Sequence, residues 1–183
     1  MFRVIIFVIG ILSANLALSA IVVGNPQGDM TLIEVYDYQC PLCHQEYPVI
    51  QNLVQQNPNL KVRLIPTAVV NQRSIYQAAA AIAATKYANQ FQAFNRIALT
   101  QPPMTEQAIT ETLRRLGLTG QDFTKAMHSH AIEKRMLIGR QFLAHAHSGT
   151  PLLIFYPSSQ PHQLTVLRGY QSYAALQKVI DNE

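Results

Sequence analysis

Sulfur is scarce in this chain. Its 183 residues hold two cysteines, Cys40 and Cys43. With no second C-x-x-C pair, the usual structural zinc sites would need two further ligands from histidine, and His145-Ala146-His147 is the sole candidate pair. An apolar run of membrane-spanning length is also missing. Val4 to Leu12 is unbroken, but Ser13 and Asn15 interrupt the residues beyond it, and a transmembrane helix wants ~20 apolar residues. Basic residues are scattered from Arg63 to Arg140 without a dense run, so the net charge of +4 does not point to nucleic acid. There is no internal repeat and no low-complexity tract, which leaves one ordinary domain's worth of chain.

The start of the chain reads as an address. Arg3 opens it, the apolar run comes next, and Leu16-Ala17-Leu18-Ser19-Ala20 ends in small residues suited to a signal peptidase. Residues 1–20 are therefore expected to be a signal peptide, and the protein is expected in the periplasm or otherwise exported into a bacterial envelope. In an oxidising compartment, disulfide chemistry is the natural use of a thiol pair.

The cysteines lie where a strand hands over to a helix. Thr31 to Tyr36 is short, β-branched and aromatic, whereas Pro41 to Gln56 has apolar residues at helical spacing. Proline at the first helical position presets the backbone without loss of a hydrogen bond, which makes Cys40 the N-cap. There unpaired N–H groups and the helix dipole favour thiolate over thiol, so Cys40 is expected to be the exposed nucleophile. Cys43 is on the same helix face about 5–6 Å away, within reach of a disulfide, and is expected to be the resolving thiol. A purely structural disulfide closing so small a loop would contribute only about 2 kcal/mol. Glu34 is out of place in an apolar strand. It faces water on an edge strand, is protonated, or serves the cysteines as a proton donor and acceptor. Asp37 reads as a turn residue, His44 either as positive potential beside the thiols or as a surface side chain on the first turn, and Pro48 as a kink in the helix.

Later elements come in order. Lys61 to Ile65 is a second strand, residues 73–147 are helical throughout, and Leu152–Phe155 and Gln163–Arg168 form a hairpin before a closing helix from Tyr173 to Ile180. The long connection between strands marks an inserted helical subdomain. The expected division is 21–72 and 148–183 around an insertion at 73–147. Asn25-Pro26-Gln27-Gly28-Asp29 reads as turn material leading into the strand at Thr31.

Glu34 with Asp37-Tyr38-Gln39-Cys40-Pro41-Leu42-Cys43, and the later Gly149-Thr150-Pro151 opening a strand, resembles the DsbA-like thiol:disulfide oxidoreductases of the thioredoxin superfamily, close to their BdbD-type branch. The similarity covers most of the chain beyond residue 20, including Gly24-Asn25-Pro26, Pro48 and Gly169-Tyr170. It implies an α/β thioredoxin fold with an inserted helical subdomain. It also implies Cys40 as attacking cysteine, Cys43 as its resolving partner in a redox-active disulfide, and Glu34 as the buried acid. Thr150-Pro151 would be a cis-proline loop facing the disulfide, where an extended substrate could pair with the Thr150 backbone beside Pro41 and Leu42.

The function implied is disulfide exchange with exported protein substrates, most simply as a dithiol oxidase served by a membrane redox partner. No cofactor is called for and a monomer is expected. An isomerase or reductase using the same residues is one alternative, and a chaperone or metal-binding module is another. Leu42 departs from the family pattern, because strongly oxidising members tend to carry histidine there.

Overall fold

The structure is a computed structural model describing residues 21–87 and 89–182. The expected signal peptide, residues 1–20, lies outside the described residues.

A five-stranded sheet has the order β1-β3-β2-β4-β5. Its strands are β1 (Ile21–Gly24), β2 (Met30–Tyr36), β3 (Leu60–Pro66), β4 (Leu152–Pro157) and β5 (Thr165–Arg168). β2 is central, parallel to β3 and antiparallel to β4, and all of its residues are buried. This placement removes the edge-strand reading of Glu34. β1 is a strand that the sequence does not mark: Ile21–Gly24 pairs antiparallel with β3, and the turn expected at residues 25–29 follows it. Four residues on a half-exposed edge are too short for periodicity to mark, and tertiary pairing alone makes them a strand.

Successive β2 side chains alternate between two apolar layers. Leu32 and Tyr36 join the larger cluster with Cys43, Ile50 and Leu53, whereas Ile33 and Val35 join Ile138, Phe142 and Leu143 behind the sheet. The first layer is formed by α1 (Pro41–Gln56), the second by α6 (His130–Ala146). Between them in sequence run α2 (Gln72–Ala84), α3 (Gln90–Thr100), α4 (Glu106–Arg115) and α5 (Gln121–Met127), and α7 (Tyr173–Asp181) closes the described chain. All of α2 to α6 falls between β3 and β4, so the helical insertion is present. Its Phe94, Leu99 and Phe123 belong to the same apolar cluster as Leu32 and Cys43 on the sheet side.

Local chemistry explains the helix starts. Asn71 and Ser74 form a reciprocal capping box on α2, with Ser74 N donating to Asn71 Oδ1 at 3.1 Å. Thr105 caps α4 and Ser172 caps α7 through their hydroxyls. Small residues permit close packing elsewhere: Ala78 to Ala84 are all buried in α2. Pro48 is within an unbroken α1, on its exposed side, where the missing N–H faces no packed neighbour.

Candidate active site

Cys40 occupies the N-cap of α1 with extended backbone angles, and Pro41 follows at the first helical position. Its carbonyl accepts Cys43 N at 3.0 Å and His44 N at 3.3 Å, while its own N–H donates to Asp37 O at 3.0 Å. The sulfur is less open than the sequence suggests. Cys40 is 7% exposed and Cys43 is 0% exposed, because the loop before β4 folds over the helix start. As a thiol, Cys40 Sγ donates to Thr150 O at 3.3 Å. The Thr150–Pro151 bond is cis. Residues 110 positions apart in sequence thus meet at one sulfur.

The electrostatics separate the two thiols. Cys40 is drawn down from 9.0 to about 5, chiefly because the Cys43 thiol donates a hydrogen bond to its sulfur. Burial opposes this, and the Thr150 hydroxyl and the backbone N–H groups of Cys43 and Leu42 reinforce it. Cys43 is pushed far up, first by burial and then by the proton it gives to Cys40 and the charge it faces there. The pair is unbridged here, so this is the dithiol form. One sulfur is a ready thiolate, the other a held thiol.

Asp37 does more than turn the chain. Its Oδ1 accepts Gln39 N at 2.8 Å, and its Oδ2 accepts Val69 N at 2.7 Å and Val70 N at 3.0 Å. One carboxylate thereby fastens the cysteine loop to the loop leaving β3. Gln39 reaches the other way, donating from Nε2 to Met104 O at 3.0 Å and to Gln77 Oε1. Tyr36 and Tyr38 both donate to Asn95 Oδ1 of α3, at 2.7 and 2.8 Å. His44 is not a free surface side chain: its Nε2 stands 2.8 Å from Tyr38 O, which makes that nitrogen the protonated one.

Glu34 is on the α1-facing side of β2, between Leu32 and Tyr36, and is buried. Burial, with the Glu46 carboxyl adding to it, pushes Glu34 up from 4.5 to about 8. Glu46 is the residue that sequence reasoning missed. It is 0% exposed, accepts Gln171 N at 2.8 Å on Oε2, and is pushed to about 7, again by burial first. A signal was available, because Glu46 falls on the buried helical stripe Cys43, Tyr47, Ile50 and Leu53.

Pro41 and Leu42 both face solvent, Leu42 at 41% exposure. Beside Pro41 a cleft of about 470 Å³ is lined by His44, Pro48, Leu99 and Pro102-Pro103. The other histidine pair does not gather toward this site. His145 bonds Gln141 O through Nδ1 at 2.7 Å and His147 ends α6. Among the described residues no group of three or more His, Cys, Asp or Glu side chains is arranged to hold a metal.

A thioredoxin family profile matches residues 17–142. The chain belongs to the thioredoxin family. No curated protein matches it in sequence, but solved structures do in shape. A thioredoxin-like oxidoreductase from Silicibacter pomeroyi is 23% identical with a TM-score of 0.81, over 90% of this chain and 92% of that one. The thiol-disulfide exchange protein alpha-DsbA2 from Wolbachia pipientis is 18% identical with a TM-score of 0.81, over 99% and 96%. The catalytic domain of ScsC from Proteus mirabilis is 16% identical with a TM-score of 0.80, over 98% and 96%. At these identities the likeness is one of fold: a DsbA-like thioredoxin fold with a helical insertion.

Proposed function

We propose that this thioredoxin-family chain is an exported thiol:disulfide oxidoreductase that exchanges disulfides with protein substrates through Cys40, working in the direction of dithiol oxidation. The observation that carries the reading is the asymmetry of the pair. A stabilised thiolate at the helix N-cap stands beside a buried, strongly held thiol, the arrangement a mixed-disulfide mechanism needs. In the oxidised protein, a substrate thiolate attacks Cys40 Sγ, the Cys40–Cys43 bond breaks, and its electron pair goes to Cys43 Sγ, which takes up a proton. A second substrate thiolate then attacks the substrate sulfur of the mixed disulfide. A substrate disulfide forms and Cys40 leaves as the thiolate that its surroundings favour. The dithiol must then be reoxidised, a task assigned to a membrane redox partner.

Glu34 serves as proton donor and acceptor for Cys43, being on the same buried side of the sheet. Thr150 offers its backbone to an extended substrate segment, with Pro41, Leu42 and Pro151 beside it. Export is supported by the leader-like composition of residues 1–20 and by the likeness in fold to a protein named as a periplasmic thioredoxin-like protein. The test is trapping: Cys43→Ala should accumulate mixed disulfides between Cys40 and exported proteins, and Cys40→Ala should not. Trapping by Cys40→Ala instead would reverse the roles, and trapping by neither would sink the reading.

A further inference from the structure

Two carboxyl groups are buried in the elements that carry and back the cysteine pair, Glu34 in β2 and Glu46 in α1, and the proposed exchange reaction uses one of them. Glu46 is one helical turn beyond Cys43 on the same buried face of α1, as i,i+3 neighbours are. Glu34 is on the β2 face whose Leu32 and Tyr36 pack in one cluster with Cys43, Tyr47 and Ile50 of α1. Glu46 Oε2 is taken by Gln171 N, but Oε1 is buried without a hydrogen-bond partner. A fully buried carboxylate with an idle oxygen is costly, and a second carboxyl group across the interface relieves that cost only by sharing a proton.

We propose that Glu46 is a positioning residue for disulfide exchange: across the β2–α1 interface it forms with Glu34 a carboxyl pair that keeps one proton at hand for Cys43. The proposal rests on the oxidoreductase reading. As the disulfide opens, the electron pair left on Cys43 Sγ takes the proton from Glu34 and the pair is emptied. On reoxidation, Cys43 Sγ attacks the mixed disulfide on Cys40 and its proton returns to the pair. Other groups set the field here. Tyr36 and Tyr38 from β2 and the loop after it, with Tyr47 from α1, face Glu34, and Arg96 from α3 acts on Tyr47. The Glu46 carboxyl raises Glu34 further than burial alone does. Glu46 is also linked to the substrate-facing loop, since Gly169 N, two residues before Gln171, donates to Pro151 O at 2.9 Å.

The test is Glu46→Gln, which keeps the volume and an oxygen for Gln171 N. Carboxyl-carbon NMR of the reduced protein should show the Glu34 midpoint falling by about one pH unit when the like charge is removed, and the pH profile of disulfide exchange should move down with it. Glu46→Asp should restore part of both shifts. If Glu46→Gln does not fold, Glu46→Asp alone must still move the Glu34 midpoint. An unmoved Glu34 midpoint, or an unmoved exchange profile in a variant with normal circular dichroism, overturns the role of Glu46. Absence of disulfide transfer by the wild type overturns the oxidoreductase reading instead, and the NMR titration separates the two failures.

Discussion

At the scale of single residues, the fold holds two identical thiols in different states. The hydrogen bond from Cys43 is the leading cause of the low Cys40 value of about 5. Alkylation of Cys40 should therefore have its midpoint near pH 5, with Cys43 silent through neutrality. Cys43→Ala should raise that midpoint by about one unit or more, and Cys43→Ser, which keeps a donor, by less. Rapid-quench iodoacetamide kinetics across pH would show it, and an unchanged midpoint in Cys43→Ala would remove the thiol as the cause.

Glu34 makes a second residue-scale prediction, with the opposite sign from an ordinary salt-bridged carboxylate. Its folded value of about 8 lies above the ordinary 4.5, so between these limits the native state binds more protons than the unfolded one. Stability must fall as pH rises through that window. At neutral pH the penalty is on the order of 3 kcal/mol. Glu34→Gln should remove it, so the variant's stability relative to wild type should improve from pH 4 to pH 7 in urea titrations while its disulfide exchange slows. Parallel pH dependences in the two proteins would show that Glu34 ionises normally.

At the scale of elements, the cysteine loop is fastened to parts of the fold remote in sequence. Asp37 accepts three backbone N–H groups, two of them from the loop leaving β3. Bonds to a charged acceptor contribute ~1.5–3 kcal/mol each. Asp37→Ala should thus destabilise by about 3 kcal/mol or more and speed amide exchange at Val69 and Val70; normal protection there would contradict the clamp. Behind the sheet, α6 approaches β3 so closely that a Cβ on Gly139 would come within 2.6 Å of Thr67 Cβ. Overpacking of that kind costs ~1–3 kcal/mol, so Gly139→Ala should lower the thermal midpoint measurably.

At the scale of the whole molecule, the question is the direction of electron flow. A Cys40 value of about 5 falls between the ≈7 of thioredoxin and the ≈3.5 of DsbA. The potential should follow it, between about −270 mV and about −120 mV. Leu42, exposed beside Cys40, withholds the positive character that a histidine would supply. Leu42→His should make the pair more oxidising. Glutathione equilibration at fixed pH measures both, and a wild-type potential at or below that of thioredoxin would turn the reading to a reductase.

The same scale separates what sequence alone decides from what tertiary structure decides. The handover from Thr31–Tyr36 to a helix opened by Pro41, the N-cap place of Cys40 and the Cys43 spacing are matters of neighbours along the chain. They arise from the backbone limits of proline and the periodicity of apolar side chains, and were therefore legible, as was the order of the other four strands and the inserted helices. Which strand is central was not legible, because Thr31–Tyr36 reads alike at an edge or in the middle. Pairing with both β3 and β4 buries Glu34 and sets its proton affinity. Ile21–Gly24 is a strand only because β3 offers it an edge. Asp37 becomes a clamp through Val69 and Val70, Cys40 meets Thr150, and Glu46 meets Gln171 by packing between elements remote in sequence. Charge and hydrogen bonding at the sulfur depend on distance in space, and only the folded chain sets those distances.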